Sequence, residues 1–304
     1  MSPLGFEPRR AGRLPPCRAV WRVEASADIL WADIGIDCEI GGVYQREPLK
    51  RFLYRLYERR LLAEVKERSM PRHLGLIQDG NRRYAQEARI SKLEGYRLAA
   101  AKTEEVLTWC TELEIPMVTL WWLSTENLSR HAEDVGAVVE VIERTMAEWI
   151  EGGLTERLGI RIRPIGELEL LPASTLQALQ HAESATRHRN RILLNVGVGY
   201  GGRQEIIEAV KGCLQESFMR RDADEQILRG LTPDALNKFL YTYDCPDPDL
   251  IVRTSGEVRL SGFMLWQSAY SEYYFCDAYW PAFRKLDFLR AIRSYQQRQR
   301  RFGK

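Results

Sequence analysis

The chain has 304 residues, of which 44 are lysine or arginine and 42 are aspartate or glutamate, leaving a formal net charge of +2. This near balance argues against a nucleic-acid-binding protein, so any affinity for anions must come from local clusters. No apolar run has the length of a membrane span and no secretory signal is recognisable, which predicts a cytosolic protein with at most peripheral membrane contact. The six cysteines follow no disulfide or zinc spacing and are expected to be reduced thiols.

Residues 1–45 differ from the rest of the chain, because they mix proline, arginine, glycine and isolated tryptophans without a sustained period. We expect a disordered extension, or a start codon assigned too far upstream, since Val43 or Met70 could each begin a compact protein. Residues 46–304 are predicted to form a single domain.

The first segment of that domain, residues 47–68, is predicted to be a basic amphipathic helix. The residues expected to share its apolar face are Leu49, Phe52, Leu53 and Leu56. Packing of this face on the domain or on a partner subunit is the plainer interpretation. A role at a membrane surface is the alternative, because basic side chains flank the apolar ones.

From His73 onward, apolar strands alternate with helical patterns, which predicts a mostly parallel sheet flanked by helices. The predicted strands are residues 74–78, 117–123, 159–166, 192–200 and 250–256, with a further run at 263–267. The predicted helices begin near residue 81 and cover about 96–113, 134–150, 172–188 and 204–218. In such sheets the ligand site lies beyond the carboxyl ends of the strands, so the polar residues that follow the strands are the candidates for chemistry.

The end of the first strand carries the most distinctive group of polar residues. Asp79, Gly80, Asn81, Arg82 and Arg83 follow it directly. A carboxylate at a strand end can hold a divalent cation, and the free amides of a helix start beside two arginines suit an anion with several negative oxygens. This combination predicts a diphosphate site that uses a metal ion.

Three further strand ends carry polar groups. They are Ser124 to Arg130, Gly199 to Arg203, and Arg253 to Ser261. Each has a plain structural explanation by itself, as a helix cap, a tight turn or solvated arginines. Four such groups, all placed after apolar strands, favour a functional site.

These motifs resemble those of the cis-prenyltransferases, the (Z)-prenyl diphosphate synthases that include undecaprenyl diphosphate synthase. The resemblance runs from about Pro48 to the C-terminus. It rests on H-x5-D-G-N-x-R, S-T-E-N, N-x4-Y-G-G-R and R-T-S-G-E-x-R-x-S, followed by A-Y-S-E and W-P. It implies an α/β fold packed as a homodimer, and Mg²⁺-dependent elongation of an allylic diphosphate by isopentenyl diphosphate.

The resemblance also implies roles for individual residues. Asp79 and Glu272 resemble the family's two acidic Mg²⁺ ligands, and Asp79 and Asn127 are the expected catalytic residues. Ser124 and Asn127 resemble a polar pair proposed to help remove the proton that ends each condensation. The residues expected at the allylic diphosphate are Gly80, Asn81, Arg82, Arg83, Tyr84, Lys92, Tyr96, Ser124, Thr125, Glu126 and Arg130. Those expected at isopentenyl diphosphate are Arg253, Arg259, Leu260 and Ser261.

Several positions depart from the family pattern. Gln78 replaces the usual methionine before the aspartate, and it could touch the metal shell or face a neighbouring loop. Tyr84 and Leu128 each replace a tryptophan. Lys92 and Tyr96 stand where arginine and histidine are usual, and lysine keeps the charge without the two-pronged geometry of arginine.

Trp122 stands where the resemblance implies a small residue facing the tunnel for the growing chain. An indole there would stop elongation early, because protein interiors have no spare volume for further isoprene units. A short product is therefore the favoured hypothesis. The D-G-N-R-R and S-T-E-N-L variants also resemble the short-chain branch of the family found in actinobacteria, which implies (2Z,6E)-farnesyl diphosphate as the product. The alternatives are a long-chain synthase, with Trp122 packed away from the tunnel, and a non-catalytic partner subunit, which would lack the Asp-Gly-Asn-x-Arg motif that this chain has.

Two further hypotheses concern other regions. The trans-prenyltransferases use D-D-x-x-D motifs on helices, and the chain has no such run, which argues against that class. The C-terminal sequence RRFGK resembles a tail that reaches a diphosphate site, in some relatives across a dimer interface. A solvated basic helix end is the equally plain interpretation.

Overall fold

The computed structural model of the protein describes residues 46–129 and 131–298. The expectations for residues 1–45, for Arg130 and for the RRFGK tail lie outside this part. Within it, no helix is long and apolar enough to span a membrane.

The first half of the described chain alternates strands and helices. Its elements are α1 (Arg46–Lys66), β1 (Leu74–Ile77), α2 (Asn81–Ala88), α3 (Lys92–Glu112), β2 (Met117–Ser124), α4 (Thr125–Leu128), α5 (Ala132–Glu151), α6 (Leu154–Leu158) and β3 (Ile160–Ile165). A short 3-10 turn, Leu168–Leu170, follows β3.

The second half completes the sheet. Its elements are α7 (Ala173–Thr186), β4 (Ile192–Tyr200), α8 (Gly202–Arg220), α9 (Asp224–Gly230), α10 (Pro233–Asn237), β5 (Leu250–Arg253), β6 (Glu272–Phe275), a 3-10 turn at Trp280–Ala282, and α11 (Lys285–Gln297). The strand order is β3-β4-β2-β1-β5-β6, and all five pairings are parallel. The predicted parallel α/β sheet is therefore confirmed.

β1 occupies the point where the chain changes direction across the sheet. β2 pairs with one of its edges and β5 with the other, so Ile77 lies in register with both Trp121 and Arg253. Loops that leave neighbouring strands in opposite directions open a crevice beyond the carboxyl ends of those strands. The fold therefore brings the residues after β1, β2 and β5 to one place.

The sequence prediction was wrong about the sixth strand. Residues 263–267 form turns, and the sixth strand is β6, nine positions later along the chain. Phe263 and Met264 are apolar because they are fully buried against Trp121 and Tyr200 in a core cluster at this end of the sheet. Met264 has a φ of 44°, which is incompatible with an extended strand.

The predicted apolar face of α1 does not pack as a whole on the domain. Phe52 and Leu56 are 61% and 55% exposed, whereas Leu61 and Val65 are buried. Two half-buried tyrosines complete the packed face, and arginines from the start and middle of α11 cover their rings. The pairs are Arg284 over Tyr54 at 5.4 Å and Arg290 over Tyr57 at 5.8 Å. The side of α1 that packs on the domain is thus marked by tyrosines that contact arginines, and not by hydrophobic residues alone.

Candidate active site

The turn after β1 places Asp79 at the carboxyl edge of the sheet. Gly80 has a φ of 100°, and its N–H donates to Asp79 Oδ1 at 2.7 Å. A Cβ on Gly80 would lie 2.6 Å from Tyr279 Cδ1, closer than real Cβ atoms approach other atoms. Glycine is therefore required here for both its backbone conformation and its size. α2 begins at the next residue, in agreement with the predicted strand–turn–helix order.

Asp79 forms an ion pair with Arg253 from the neighbouring strand. Arg253 Nη2 lies 2.8 Å from Asp79 Oδ2, and the side chain of Arg253 is only 5% exposed. Burial by itself raises the pKa of Asp79, but the hydrogen bond and charge of Arg253, with the Gly80 N–H, outweigh it and hold this pKa below its ordinary value. Asp79 is therefore an ionised carboxylate at neutral pH.

The hydrogen bonds of Arg253 are incomplete. Its Nη1 donates to Ser261 Oγ at 2.8 Å and to the carbonyl of Arg259. Its Nε is buried and has no partner within the described residues. The Oδ1 atom of Asn81 is buried and unpartnered in the same part of the chain, while its amide donates to the Gln78 carbonyl at 3.1 Å. Buried polar atoms normally have partners, so these two indicate where a ligand or ordered water completes the site.

Arg83 links the loops that follow β1 and β5. It donates to Ser255 Oγ at 2.7 Å and to Glu257 Oε1 at 3.1 Å, and it lies 3.4 Å from Asp79 Oδ1. Glu257 also pairs with Arg259, so a single carboxylate joins cations expected at two different diphosphates. A role for Glu257 was not predicted from the sequence, although its position between Arg253 and Arg259 was a usable signal.

Arg82 and Lys92 contact a second carboxylate, that of Asp134, which was not predicted from the sequence. Lys92 Nζ is hydrogen-bonded to Asp134 Oδ1, and Arg82 Nη1 lies 3.8 Å from Asp134 Oδ2. The hydrogen bond from Lys92 lowers the pKa of Asp134. No sequence pattern indicated this contact, because Asp134 belongs to α5 and lies 42 positions from Lys92.

The group after β2 has a clear structural role. Ser124 Oγ accepts the backbone N–H of Asn127 at 3.1 Å, so Ser124 caps α4. Ser124, Glu126 and Asn127 nevertheless line the same groove as Asp79. The capping explanation and a functional role are thus compatible at this position.

Most of the predicted site residues line one groove with a volume of about 1100 Å³. Those that line it are Asp79, Gly80, Asn81, Arg82, Arg83, Lys92, Tyr96, Trp122, Ser124, Glu126, Asn127, Arg253, Arg259 and Ser261. Tyr84, Thr125, Leu260 and Glu272 are not among its lining residues, and Arg130 lies outside the described chain.

Glu272 is far from Asp79 along the sheet. It is the first residue of β6 and is in register with Leu250, the first residue of β5. Asp79 follows the opposite, carboxyl end of β1. Glu272 instead pairs with Arg298 at 2.6 Å. One chain therefore does not bring the two predicted metal ligands together.

The groove fits a magnesium ion that is bound together with a diphosphate. No cluster of three or more histidine, cysteine or acidic side chains occurs in the described ranges. Mg²⁺ is commonly held by one or two carboxylates plus substrate phosphate oxygens, and Asp79 supplies an ionised carboxylate among cations. Asp79 would hold the ion, which when bound supplies positive charge to the leaving diphosphate.

A small cavity continues the groove into the protein. Its volume is about 50 Å³, and Trp121 and Trp122 both contribute to its wall. Their rings have different neighbours: Trp121 stacks on Phe263 at 5.5 Å, and Trp122 meets Trp149 edge-on at 5.5 Å. The remaining lining residues are Gln78, Asn81, Tyr96, Ala99, Ala100, Val138, Val141, Ile142 and Thr145.

Gln78, which belongs to the cavity wall, has a hydrogen-bond partner on helix α3. Its Nε2 donates to Thr103 Oγ1 on α3 at 3.0 Å, and the side chain is almost fully buried. Gln78 therefore contacts helix α3 and not a neighbouring loop.

The family of the chain follows from comparison with known proteins. A family model described as undecaprenyl diphosphate synthase matches residues 77–303. The chain belongs to this cis-prenyltransferase family. A (2Z,6E)-farnesyl diphosphate synthase from Thermobifida fusca is 50% identical over 252 residues, covering 83% of this chain and 97% of that protein. A tritrans,polycis-undecaprenyl-diphosphate synthase (geranylgeranyl-diphosphate specific) from Methanopyrus kandleri is 46% identical over 272 residues, covering 87% and 99%.

A solved structure agrees with this assignment. The lavandulyl diphosphate synthase of Lavandula x intermedia, in complex with dimethylallyl diphosphate, matches with a TM-score of 0.73 and 28% identity over 79% of this chain and 100% of that one. These relatives are prenyl diphosphate synthases, so this cis-prenyltransferase is a transferase. The resemblance in the motifs is thus confirmed.

Proposed function

We propose that this cis-prenyltransferase condenses isopentenyl diphosphate with an allylic diphosphate, geranyl or dimethylallyl diphosphate, in the presence of Mg²⁺ and with release of diphosphate, to a short Z-prenyl diphosphate. With geranyl diphosphate one condensation gives (2Z,6E)-farnesyl diphosphate, the product that we propose. The observation that carries the reaction is the contact of ionised Asp79 with buried Arg253, because it joins a carboxylate able to hold a metal to a cation with unused hydrogen-bonding capacity. This pair lies among the cations of one groove.

Each group of residues has a part in the proposed reaction. The amides of Gly80, Asn81 and Arg82 and the side chain of Arg83 hold the allylic diphosphate at the start of α2. Fixed cations there stabilise the negative charge that develops on the leaving group, more in the transition state than in the ground state. The groove aligns the second substrate's double bond with the allylic carbon and excludes water.

The second substrate binds on the β5 side of the groove. Arg253, Arg259 and Ser261 hold isopentenyl diphosphate, and the unpartnered Arg253 Nε is a donor available to it. Ser124 and Asn127 assist loss of the proton that completes the condensation, and they line the groove on the β2 side. The two diphosphates thus bind on either side of Asp79.

The proposed product length rests on the wall of the small cavity. A volume of about 50 Å³ admits only a few water molecules, since each needs ~10–15 Å³ of this kind of space. Trp122 is part of the wall of this cavity, and its ring is backed by Trp149, so it would limit the space for a longer tail. The name of the Thermobifida relative favours the same product, whereas the name of the Methanopyrus relative favours the long-chain alternative.

The proposal is tested by incubating the protein with isopentenyl diphosphate and each allylic primer, followed by chromatography of the dephosphorylated products. We expect a C15 alcohol with a newly formed Z double bond from geranyl diphosphate. Asp79→Ala should lose turnover by about 1000-fold because it loses the metal-held leaving group, and it should also lower thermal stability because buried Arg253 loses its partner. Near-wild-type turnover of this variant would contradict the assignment of Asp79.

Chain length is tested separately with Trp122→Ala, and Trp121→Ala is the matched change on the same strand. We expect Trp122→Ala to lengthen the product, since it removes the indole that meets Trp149. Trp121→Ala should destabilise the Phe263 cluster without comparable lengthening. An unchanged product from Trp122→Ala, or a long-chain product from the wild-type protein, would overturn the short-chain proposal.

We further propose that the enzyme is a homodimer in which Glu272 serves a site of the partner subunit. This proposal is supported by the position of Glu272 at the other end of its own sheet. Sedimentation measures the dimer directly. Mixing Asp79→Ala and Glu272→Ala subunits should restore part of the activity, whereas two independent monomers would restore none.

A further inference from the structure

Tyr279 lies in a segment that connects the two substrate loops. The N–H of Ser255 donates to the Ala278 carbonyl at 2.8 Å, and the N–H of Trp280 donates to the Asp79 carbonyl at 3.1 Å. The backbone on either side of Tyr279 is therefore bonded to the loop after β5 and to the turn after β1. A side chain between these bonds has little freedom to move relative to either loop.

The tyrosine side chain touches the Asp79–Gly80 turn and α2. A Cβ on Gly80 would lie 2.6 Å from Cδ1 of Tyr279, so the tyrosine ring packs directly on the glycine. Its hydroxyl donates to Glu87 Oε1 at 2.6 Å, one turn of α2 beyond Arg83. The ring is thus held at both ends, by Gly80 and by Glu87, beside the Asp79–Gly80 turn and the start of α2.

Arg83 lies over this ring. Its Cζ is 5.7 Å from the ring centroid of Tyr279, within the range of a cation–π interaction. The edges of the same guanidinium contact Ser255, Glu257 and Asp79. The ring therefore restrains Arg83 from its face, while the polar partners restrain it from its edges.

We propose that Tyr279 is a positioning residue that holds the guanidinium of Arg83 toward the allylic diphosphate and thereby raises the enzyme's affinity for that substrate. The inference rests on the proposed function, which gives Arg83 its ligand. A long arginine side chain without this restraint loses more conformational entropy when it binds, and loses an aromatic neighbour that favours its charge. The effect acts through Arg83, so isopentenyl diphosphate at Arg253 and Arg259 is little affected.

A purely structural role for Tyr279, filling the space beside Gly80, makes a different prediction. Space filling would be shared by any large apolar side chain and would influence both substrates and protein stability alike. The positioning role requires an aromatic face. Tyr279→Phe keeps that face and loses only the bond to Glu87, whereas Tyr279→Leu loses the face.

The experiment measures the KM of each substrate, kcat and thermal stability for these variants. We expect Tyr279→Leu to raise the KM of the allylic diphosphate about tenfold, with the KM of isopentenyl diphosphate and kcat changed less than twofold. Tyr279→Phe should stay within about threefold of the wild type. Tyr243→Leu, at a tyrosine that is 67% exposed and does not line the groove, is the matched control and should change nothing.

A double-mutant cycle ties the effect to Arg83. In an Arg83→Lys background, Tyr279→Leu should have no further effect on the allylic KM, because the planar cation is already gone. If Tyr279→Leu does not fold, Tyr279→Met provides an unbranched, gap-filling replacement for the same measurement.

Three results would overturn the proposal: a wild-type allylic KM for Tyr279→Leu, an equal rise in both KM values, or full additivity with Arg83→Lys. Failure of the proposed function is distinguishable from these. In that case the wild-type protein itself would turn over none of the primers, and titration calorimetry with inorganic pyrophosphate would still compare the affinities of wild type and Tyr279→Leu.

Discussion

The two ends of the parallel sheet use buried polar side chains in opposite ways. At the amino end, both ring nitrogens of His73 have partners, the Pro246 carbonyl at 2.6 Å and Thr119 Oγ1 at 2.7 Å. The carboxylate of Asp249 accepts the backbone N–H of His73 at 3.2 Å and that of Arg72 at 2.6 Å. The partners of His73 and Asp249 named here all belong to the protein, so these hydrogen bonds stabilise the fold.

At the carboxyl end, the hydrogen bonds are only partly made. Asp79 is paired with Arg253, yet the buried Nε of Arg253 and Oδ1 of Asn81 lack partners within the described chain. Positive φ angles at Gly80 and Ser255 shape the two loops that meet there. His73 and Asp249 thus contribute stability through hydrogen bonds made within the protein, whereas Arg253 and Asn81 keep binding capacity, since an unmade buried hydrogen bond costs stability until a ligand completes it.

Among the changes that compare the two ends of the sheet, the largest effect is expected at the carboxyl end. Gly80→Ala should lower kcat/KM about 100-fold and destabilise the protein by ~1–3 kcal/mol, because alanine is strained at this φ and collides with Tyr279. Steady-state kinetics and urea unfolding measure the two losses.

Gly136→Ala is the matched control for Gly80→Ala. Gly136 lies within α5 with no atom near its missing Cβ, so the change should stabilise the protein by ~0.5–1 kcal/mol. Equal behaviour of the two variants would refute a special role for Gly80.

The second expected effect is a pH dependence of the free energy of unfolding, which comes from His73 at the amino end of the sheet. Burial lowers the pKa of His73 to about 4, against ~6.5 in the unfolded chain. The stability from neutral His73 is therefore fully present above pH ~6.5 and is lost as the pH falls toward 4, because the unfolded chain binds the proton first. Between pH 7.5 and 5.0 this residue should account for a loss of about 2 kcal/mol.

Urea unfolding at the two pH values tests this assignment. His73→Gln should remove this part of the pH dependence, and the change at exposed His181→Gln should leave it intact. The idea fails if wild type and His73→Gln lose the same stability on acidification.

The smallest expected effect distinguishes a helix-capping role of Ser124 from a role in catalysis. Ser124→Ala and Thr232→Ala each remove a side chain that accepts an N–H in the first turn of a short helix, so each should cost ~1 kcal/mol of stability. Only Ser124 lines the groove, so only Ser124→Ala should also lower kcat, by at least tenfold. If both variants retain wild-type kcat, Ser124 acts only as a cap.

Strand-and-helix alternation was predictable because each element carries its own periodic pattern. The order of strands and glycine turns also located the groove, since residues after parallel strands must meet at one edge. Prediction failed at residues 263–267, where apolar side chains serve a compact turn, and at α1, where tyrosines under arginines form the packed face. In both cases the burial depends on distant partners that local periodicity does not encode.

The sequence by itself determined the family, the parallel sheet and the identity of the residues around Asp79, because short motifs carry the turn and its charges in consecutive positions. Only the tertiary structure decided which charges meet. It paired Asp134 with Lys92, joined Arg83 to Glu257, separated Glu272 from Asp79 and laid Tyr279 under Arg83. These contacts join residues far apart in the chain, and the packing of strands and helices brings them together or keeps them apart.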